Sequence, residues 1–343
     1  MSAPLHIRAA GMVTAVGHDG ASSTAAMRAR LDGFQETCFL GPGGEWLIGA
    51  PVYQPRKWVG TERLAHLAAG AIADIFRRVP DAEADCALIL CLAEGDRPGR
   101  PIRDSAAFAR LMAEVADLPP HLKTDVVAHG RPSGFAALYR ARRLLEEGEA
   151  AHVLILGVDS YLTTLSIAHY LAEKRLLAPG NANGFIPGEA AAAILCSKTG
   201  PMRLTGLGLA REDAYIYNGL DDGGLDRPLR GDGMTKAYRA ALTEANMELG
   251  HVEYRISDLI GEQYWFRQTS LALLRLARGR SEFQDLKSPA ESVGNTGAAV
   301  VPLMLGMALA ATEKGYAPGN PVLIEASGDD GACGAAVLDE VRR

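Results

Sequence analysis

Short apolar runs bounded by Gly and Asp alternate along this chain with stretches whose apolar residues recur at helical spacing. The alternation predicts strands at LHIRAAGMV (5–13), CALILCLA (86–93), TDVVAHG (124–130), HVLILGVDS (152–160) and, after a turn at Asn181–Gly184, GEAAAAILCSK (188–198). Between them fall predicted helices at Ser22–Leu31, TERLAHLAAGAIADIF (61–76, with Thr61 as N-cap), DSAAFARLMAEV (104–115) and SGFAALYRARRLLEEGE (133–149). The remainder repeats the theme more loosely. Strands are expected at 204–210, 256–262, 321–328 and 332–341, and helices at 236–249, 269–279 and 294–315. Near-continuous apolar strands alternating with helices predict a largely parallel sheet covered on both faces. Two such sets suggest an internal duplication, which periodicity by itself does not prove.

Composition narrows the function classes. The chain has 343 residues, enough for two ordinary domains or one duplicated one, and 48% of them are hydrophobic. A net charge of -6 argues against non-specific nucleic-acid binding, which needs a cationic face. No basic segment precedes an apolar run, so no signal peptide is expected. The longest apolar stretch, Gly297–Thr312, contains Pro302 and is too short to span a bilayer, so it reads as a buried helix. Cys38, Cys86, Cys91, Cys196 and Cys333 lack paired or metal-ligand spacing, which fits a reducing cytoplasm. Cys86, Cys91 and Cys196 read as small buried hydrophobes. The acidic loop 219–233 lacks the ordered spacing and closing glutamate of an EF-hand and reads as a polar loop. No cofactor or metal is expected.

Several segments, in order, resemble the β-ketoacyl synthases of the thiolase-like superfamily. They are AAGMVTAVGHDGASSTAAMRARLDG (9–33), GEAAHVLILGVDSYL (148–162), GFIPGEAAAAIL (184–195), EDAYIYNG with GDGMTKAYRAAL (within 212–242) and SVGNTGAAVVPLMLGMAL (292–309). The resemblance covers essentially the whole chain. It implies a five-layered αβαβα fold from two similar halves, residues 1–199 and 200–343, forming one integrated unit. It also implies a homodimer with the active site at the inner ends of two buried helices, where helix N-termini favour a thiolate and an oxyanion.

The catalytic positions depart from the family. Its nucleophilic cysteine starts the helix after a short buried strand, and the matching stretch here is HGRPSGF (129–135). One alignment puts Arg131 at that place and the other puts Pro132. Neither forms a thioester, and losing a comparable nucleophile costs on the order of 10⁶ in rate. The first partner histidine should follow the strand at 256–262, where Glu262 and Gln263 stand. The second partner position matches Asn295, which together with Thr296 reads foremost as a helix cap. The family's lysine aligns with Ala290, with Lys287 three residues early. Variants of the family that only decarboxylate keep both partners; this chain keeps at most one.

Substitute chemistry has weaker candidates. His129 and Ser133 could form a base–nucleophile pair, although a packed or capping serine is favoured. Cys333 lies in the Gly-rich final loop as a displaced thiol, with a buried, inert cysteine favoured. Asp329 and Asp330 in that loop could pair with Arg131 and plug the pocket. Residues 264–267 (YWFR) read as packing at a helix entrance more than as a ligand box. The expectation is a ketoacyl-synthase homologue without condensing activity, acting as a binding or adaptor protein. Its partner would be an acyl carrier protein, a ketosynthase or a type VI secretion effector. The alternative is an acyltransferase or other thioester-handling enzyme with a relocated nucleophile.

Overall fold

The computed structural model describes residues 5–119, 122–218, 227–278 and 284–341. The first half runs β1 (Leu5–Val13), α1 (Gly20–Arg28), a hairpin of β2 (Gln35–Leu40) and β3 (Trp46–Gly49), α2 (Gly60–Arg78), β4 (Cys86–Cys91) and α3 (Ser105–Val115). It continues through β5 (Thr124–Val127), α4 (Ser133–Glu147), β6 (His152–Ser160), α5 (Thr164–Ala172) and β7 (Glu189–Ser197). The second half runs β8 (Met202–Arg211), α6 (Asp232–Glu244), β9 (Tyr254–Ser257), α7 (Gln263–Leu276) and β10 (Asp285–Lys287). It ends with α8 (Ala290–Val293), α9 (Val300–Glu313), β11 (Val322–Ser327) and β12 (Ala332–Glu340).

Most predicted elements fall on observed ones, and β1 and β6 match residue for residue. The hairpin, α5, β10 and α8 were not anticipated, because each is short or carries mixed polar and apolar positions. Thr61 is not a cap. The N-cap of α2 is Val59, which makes no side-chain bond, and Thr61 lies inside the helix.

Ten strands form one sheet in the order β10-β9-β11-β12-β8-β1-β7-β6-β4-β5. From its centre the order reads β1-β7-β6-β4-β5 in one direction and β8-β12-β11-β9-β10 in the other. Each half has antiparallel pairs first (β1/β7 and β7/β6; β8/β12 and β12/β11) and parallel pairs outside (β6/β4 and β4/β5; β11/β9 and β9/β10). The topology therefore repeats, and β1 and β8 join the halves through a short antiparallel ladder. This corrects the expectation of a largely parallel sheet. Continuous apolar runs report that a strand is covered on both faces, and here β7 and β12 are so covered while running antiparallel to both neighbours.

Strand alternation sorts the core into layers. Ile89, Ile155 and Ile194 from one half and Ile256, Ile324 and Ala336 from the other pack on α4 and α9 between them. Leu88, Leu90, Leu154, Leu156 and Leu195 point the opposite way, onto α2 and α3. Leu323, Ala335 and Val337 face α6 and Ala272 of α7. The result is an αβαβα stack with α4 and α9 as its central layer. These two helices approach closely at Gly134, where a Cβ would stand 2.5 Å from Val301 Cβ. No helix among the described residues is long and apolar enough to cross a membrane.

Candidate functional site at the start of the central helices

The strands β4, β6, β9 and β11 each end at or just before a carboxylate, Glu94, Asp159, Asp258 and Asp329 respectively; β4 is apolar throughout, whereas β9 and β11 carry Arg255 and Glu325 in mid-strand. The central helix α4 begins at the same level. Its N-cap is Pro132, which has no hydroxyl to offer, and Arg131 precedes it. A buried cation at a helix N-terminus is disfavoured by the helix dipole, so it needs anionic partners.

Arg131 has them. Its Nη1 donates to Asp258 Oδ2 at 3.0 Å and its Nη2 to Asp329 Oδ1 at 3.4 Å, with the guanidinium 3.9 Å from the centre of the Trp265 ring. A second guanidinium, Arg175, closes the other side of Asp329 at 2.6 Å and forks onto both oxygens of Glu262 at 2.7 and 2.8 Å. Tyr217 Oη accepts from Arg175, and Trp265 Nε1 donates to Glu262. Burial opposes the charge on Asp329, but Arg175 and Arg131 outweigh it and hold the carboxyl below its usual range. The same burial opposes the charge on Arg175, which Asp329 and Glu262 more than offset.

A third pair anchors the second central helix. Arg97 forks onto Asp159 with both bonds at 2.6 Å, and Asp159 Oδ2 accepts the Ala298 N–H at 3.0 Å in the turn leading into α9. Carboxylate at that helix start is where the dipole favours it. Asn295 Oδ1 accepts the Gly297 N–H at 3.1 Å in the same turn. Thr296 does not share the capping: its buried hydroxyl finds no partner among the described residues.

The other sequence candidates scatter. Gln263 is exposed, and its backbone N–H is held by Asn183. Ala290 opens α8 beside Tyr264 and Trp265, and Lys287 pairs with Asp285 at 3.1 Å. Ser133 accepts the backbone N–H of His129 and donates to the Leu92 carbonyl, so the serine meets the His129 main chain and not its exposed ring. Ser133 is the first residue of α4 and does not cap it. Cys333 faces the outer layer on Gln268, and burial pushes its thiol up. Asp330, expected beside Arg131, lies 3.9 Å from Arg211 and accepts the Ala332 N–H; only Asp329 reaches Arg131. Loop positions 219–226 lie outside the described residues.

No protein-family model and no curated protein matches the chain. Solved structures do. A ketosynthase in complex with its chain length factor from Xenorhabdus doucetiae superposes with a TM-score of 0.77 at 14% identity, covering 98% of both chains. The chain has the ketosynthase fold. A β-ketoacyl synthase from Burkholderia phymatum STM815 is similar over 100% of both chains at a TM-score of 0.75 and 16% identity. A type II polyketide acyl-carrier protein in complex with its ketosynthase, bound to the hexaketide, matches at a TM-score of 0.79 and 15% identity over 99% of this chain and 100% of that one.

Within the ketosynthase fold, the groups gathered where α4 begins are guanidiniums, carboxylates and an indole. Sequence reading found Arg131, Glu262 and Asp329. It missed Arg97, Asp159, Arg175 and Asp258. A usable signal existed for Asp159, an acid ending the apolar run of β6, the place where open α/β sheets put their sites; Asp258 follows a strand that already carries Arg255 and did not stand out in this way. Among the described residues no group of three His, Cys, Asp or Glu is placed to hold a metal ion.

Proposed function

We propose that this chain is a ketosynthase-fold protein without condensing activity, which works by binding another protein. The observation that carries this reading is Arg131. It stands at the start of α4, where the resemblance expects a nucleophile, and its side chain is 1% exposed between Asp258, Asp329 and Trp265. A guanidinium held by two carboxylates neither forms a thioester nor leaves room for one. Glu262, at the expected first partner position, is consumed by Arg175 and Trp265. Asn295 satisfies a backbone N–H. Without its nucleophile such a site retains only about 10³–10⁴ over water from binding and oxyanion contacts.

In this reading residues 1–199 and 200–343 act as one unit, in the cytoplasm, as a homodimer or paired with a related chain. The partner is a ketosynthase, an acyl carrier protein or a secretion effector. Support comes from the similar structures, which include one ketosynthase with its chain length factor and another with its acyl-carrier protein. Fold likeness alone does not assign a role, so two measurements are needed. Incubation with labelled acyl thioesters is expected to leave the protein unlabelled. Affinity capture from the native host is expected to recover one defined partner. Stable labelling abolished by Cys333→Ser or Ser133→Ala would overturn the reading in favour of a relocated nucleophile.

A further inference from the structure

A cavity of about 450 Å³ opens beside the ion pairs, between the segment after β4, α5, the segment after β8 and the turn at Asp329–Asp330. Its volume is in the range of small-molecule sites. At one wall lies Glu94, 9% exposed, whose Oε2 has no hydrogen-bond partner among the described residues. The carboxyl sits against Gly130, which has φ +61°; a Cβ there would overlap Glu94 Oε1. The glycine thus keeps room for the acid beside the start of α4.

The charges around this carboxyl are unbalanced. Arg97 lines the same cavity, but both its terminal nitrogens are engaged by Asp159. Asp329 is already shared by Arg131 and Arg175. Asp96 and Glu173 add negative charge at the exposed mouth, and Tyr170 and Tyr217 form part of the wall, with Arg175 already 5.3 and 5.1 Å from their ring centres. Arg211 offsets Asp330 there at 3.9 Å. A buried carboxyl without a donor is costly to keep, and an excess of carboxylates around it suits a cation.

The geometry points to a binding site for an organic cation, an alkylammonium or alkylguanidinium group whose charged head meets Glu94. This goes beyond partner binding as proposed above and does not depend on it. Burial pushes the Glu94 carboxyl up to about 7 although Arg97 pulls it down, so it ionises near neutrality and an arriving cation draws the proton off.

Calorimetric titration of the full chain tests the site. The probes are butylammonium chloride, butylguanidinium chloride, and the capped amides of lysine and arginine, with sodium butyrate as the anionic control. Saturable binding is expected for at least one cation and none for butyrate, with affinity falling about tenfold or more in Glu94→Gln. Asp96→Asn and Glu173→Gln, at the exposed mouth, keep the test decisive if the buried variant fails to fold; each should weaken binding severalfold. Tighter binding of the simple alkyl cations identifies a free amine or guanidine as the ligand class. Tighter binding of the capped amides identifies a side chain of another protein. No saturable binding by any cation, equal binding of butyrate, or unchanged affinity in all three variants would overturn the site, while leaving the partner-capture result untouched.

Discussion

Arg131 and Asp258 meet at 3.0 Å although 127 residues separate them in sequence, and each side chain is 1% exposed. Such a pair is weak evidence for stability as a whole, but removing one partner strands a buried charge. Arg131→Met strands Asp258 and should lower the unfolding free energy by about 3–5 kcal/mol in urea denaturation, and Asp258→Leu, which leaves Arg131 paired with Asp329, should cost less. The double variant should recover a large part of the Arg131→Met loss, because both charges leave together. A loss under about 1 kcal/mol in Arg131→Met would show that the pair is not desolvated as described.

The same pair bears on restoring chemistry. Arg131→Cys places a thiol at the start of α4, where the helix N-terminus favours a thiolate. Asp258 and Asp329 face that position and oppose it, since like charge raises a thiol's pKa. Arg131→Cys is therefore expected to form no acyl-enzyme with labelled thioesters at neutral pH. Labelling by that single substitution would mean that the site needs only its nucleophile.

Arg175 uses all three nitrogens of one planar group: Nε and Nη2 donate to Glu262, and Nη1 donates to both Asp329 and Tyr217. Lysine keeps the charge but offers a single point of attachment. Arg175→Lys should therefore cost about 2–4 kcal/mol, the worth of one or two hydrogen bonds to charged groups. Because Trp265 donates to Glu262, the indole emission should shift with it. A conservative-looking variant with unchanged stability would contradict the fork.

The ionisation of Glu94 sets a pH dependence of known sign. Its folded-state pKa, raised by burial to about 7, lies above the usual carboxylate value, so between the two the folded chain holds the extra proton. Stability from this group is therefore lost as pH rises from about 4.5 to about 7, and the loss is complete above that. Glu94→Gln removes the loss. The variant should match the parent near pH 5 and exceed it near pH 8, by up to about 3 kcal/mol from the size of the shift. Glu325, which burial pushes up to about 8, is present in both proteins and cancels in the comparison. A difference that shrinks with rising pH would reverse the assignment.

The alternation of strands and helices was largely legible because strand and helix periods are local, whereas the five-layered stack and its two halves came from the family resemblance. Leu88 and Ile89 sit on opposite faces of β4 whatever the rest of the chain does. Strand direction was not legible: β7 and β12 carry the same apolar runs as the parallel strands. The site was half legible. Arg131 stood out by replacing an expected residue, yet its partners Asp258 and Asp329 lie 127 and 198 residues away, and no spacing rule connects them. Glu94 gave no signal, because its burial depends on Gly130, from a different strand–helix turn, leaving space for it.

Thiol accessibility separates the binding reading from a relocated cysteine nucleophile. A reactive cysteine needs exposure and a lowered pKa. Cys333 has neither: it is 2% exposed, its sulfur lies within 3.4 Å of the Gly331 carbonyl, and burial, reinforced by Glu212 and Asp330, pushes the thiol up. Cys91 and Cys196 are likewise buried and raised, and burial takes Cys86 to about 12. Cys38, on the hairpin, is exposed. With an aromatic disulfide reagent at neutral pH, the native chain should show one fast-reacting thiol, removed by Cys38→Ser. The thiols of Cys91, Cys196 and Cys333 should appear only on unfolding. Fast modification that survives Cys38→Ser and vanishes in Cys333→Ser would place a usable nucleophile in the final loop, and the chain would then have to be read as an enzyme.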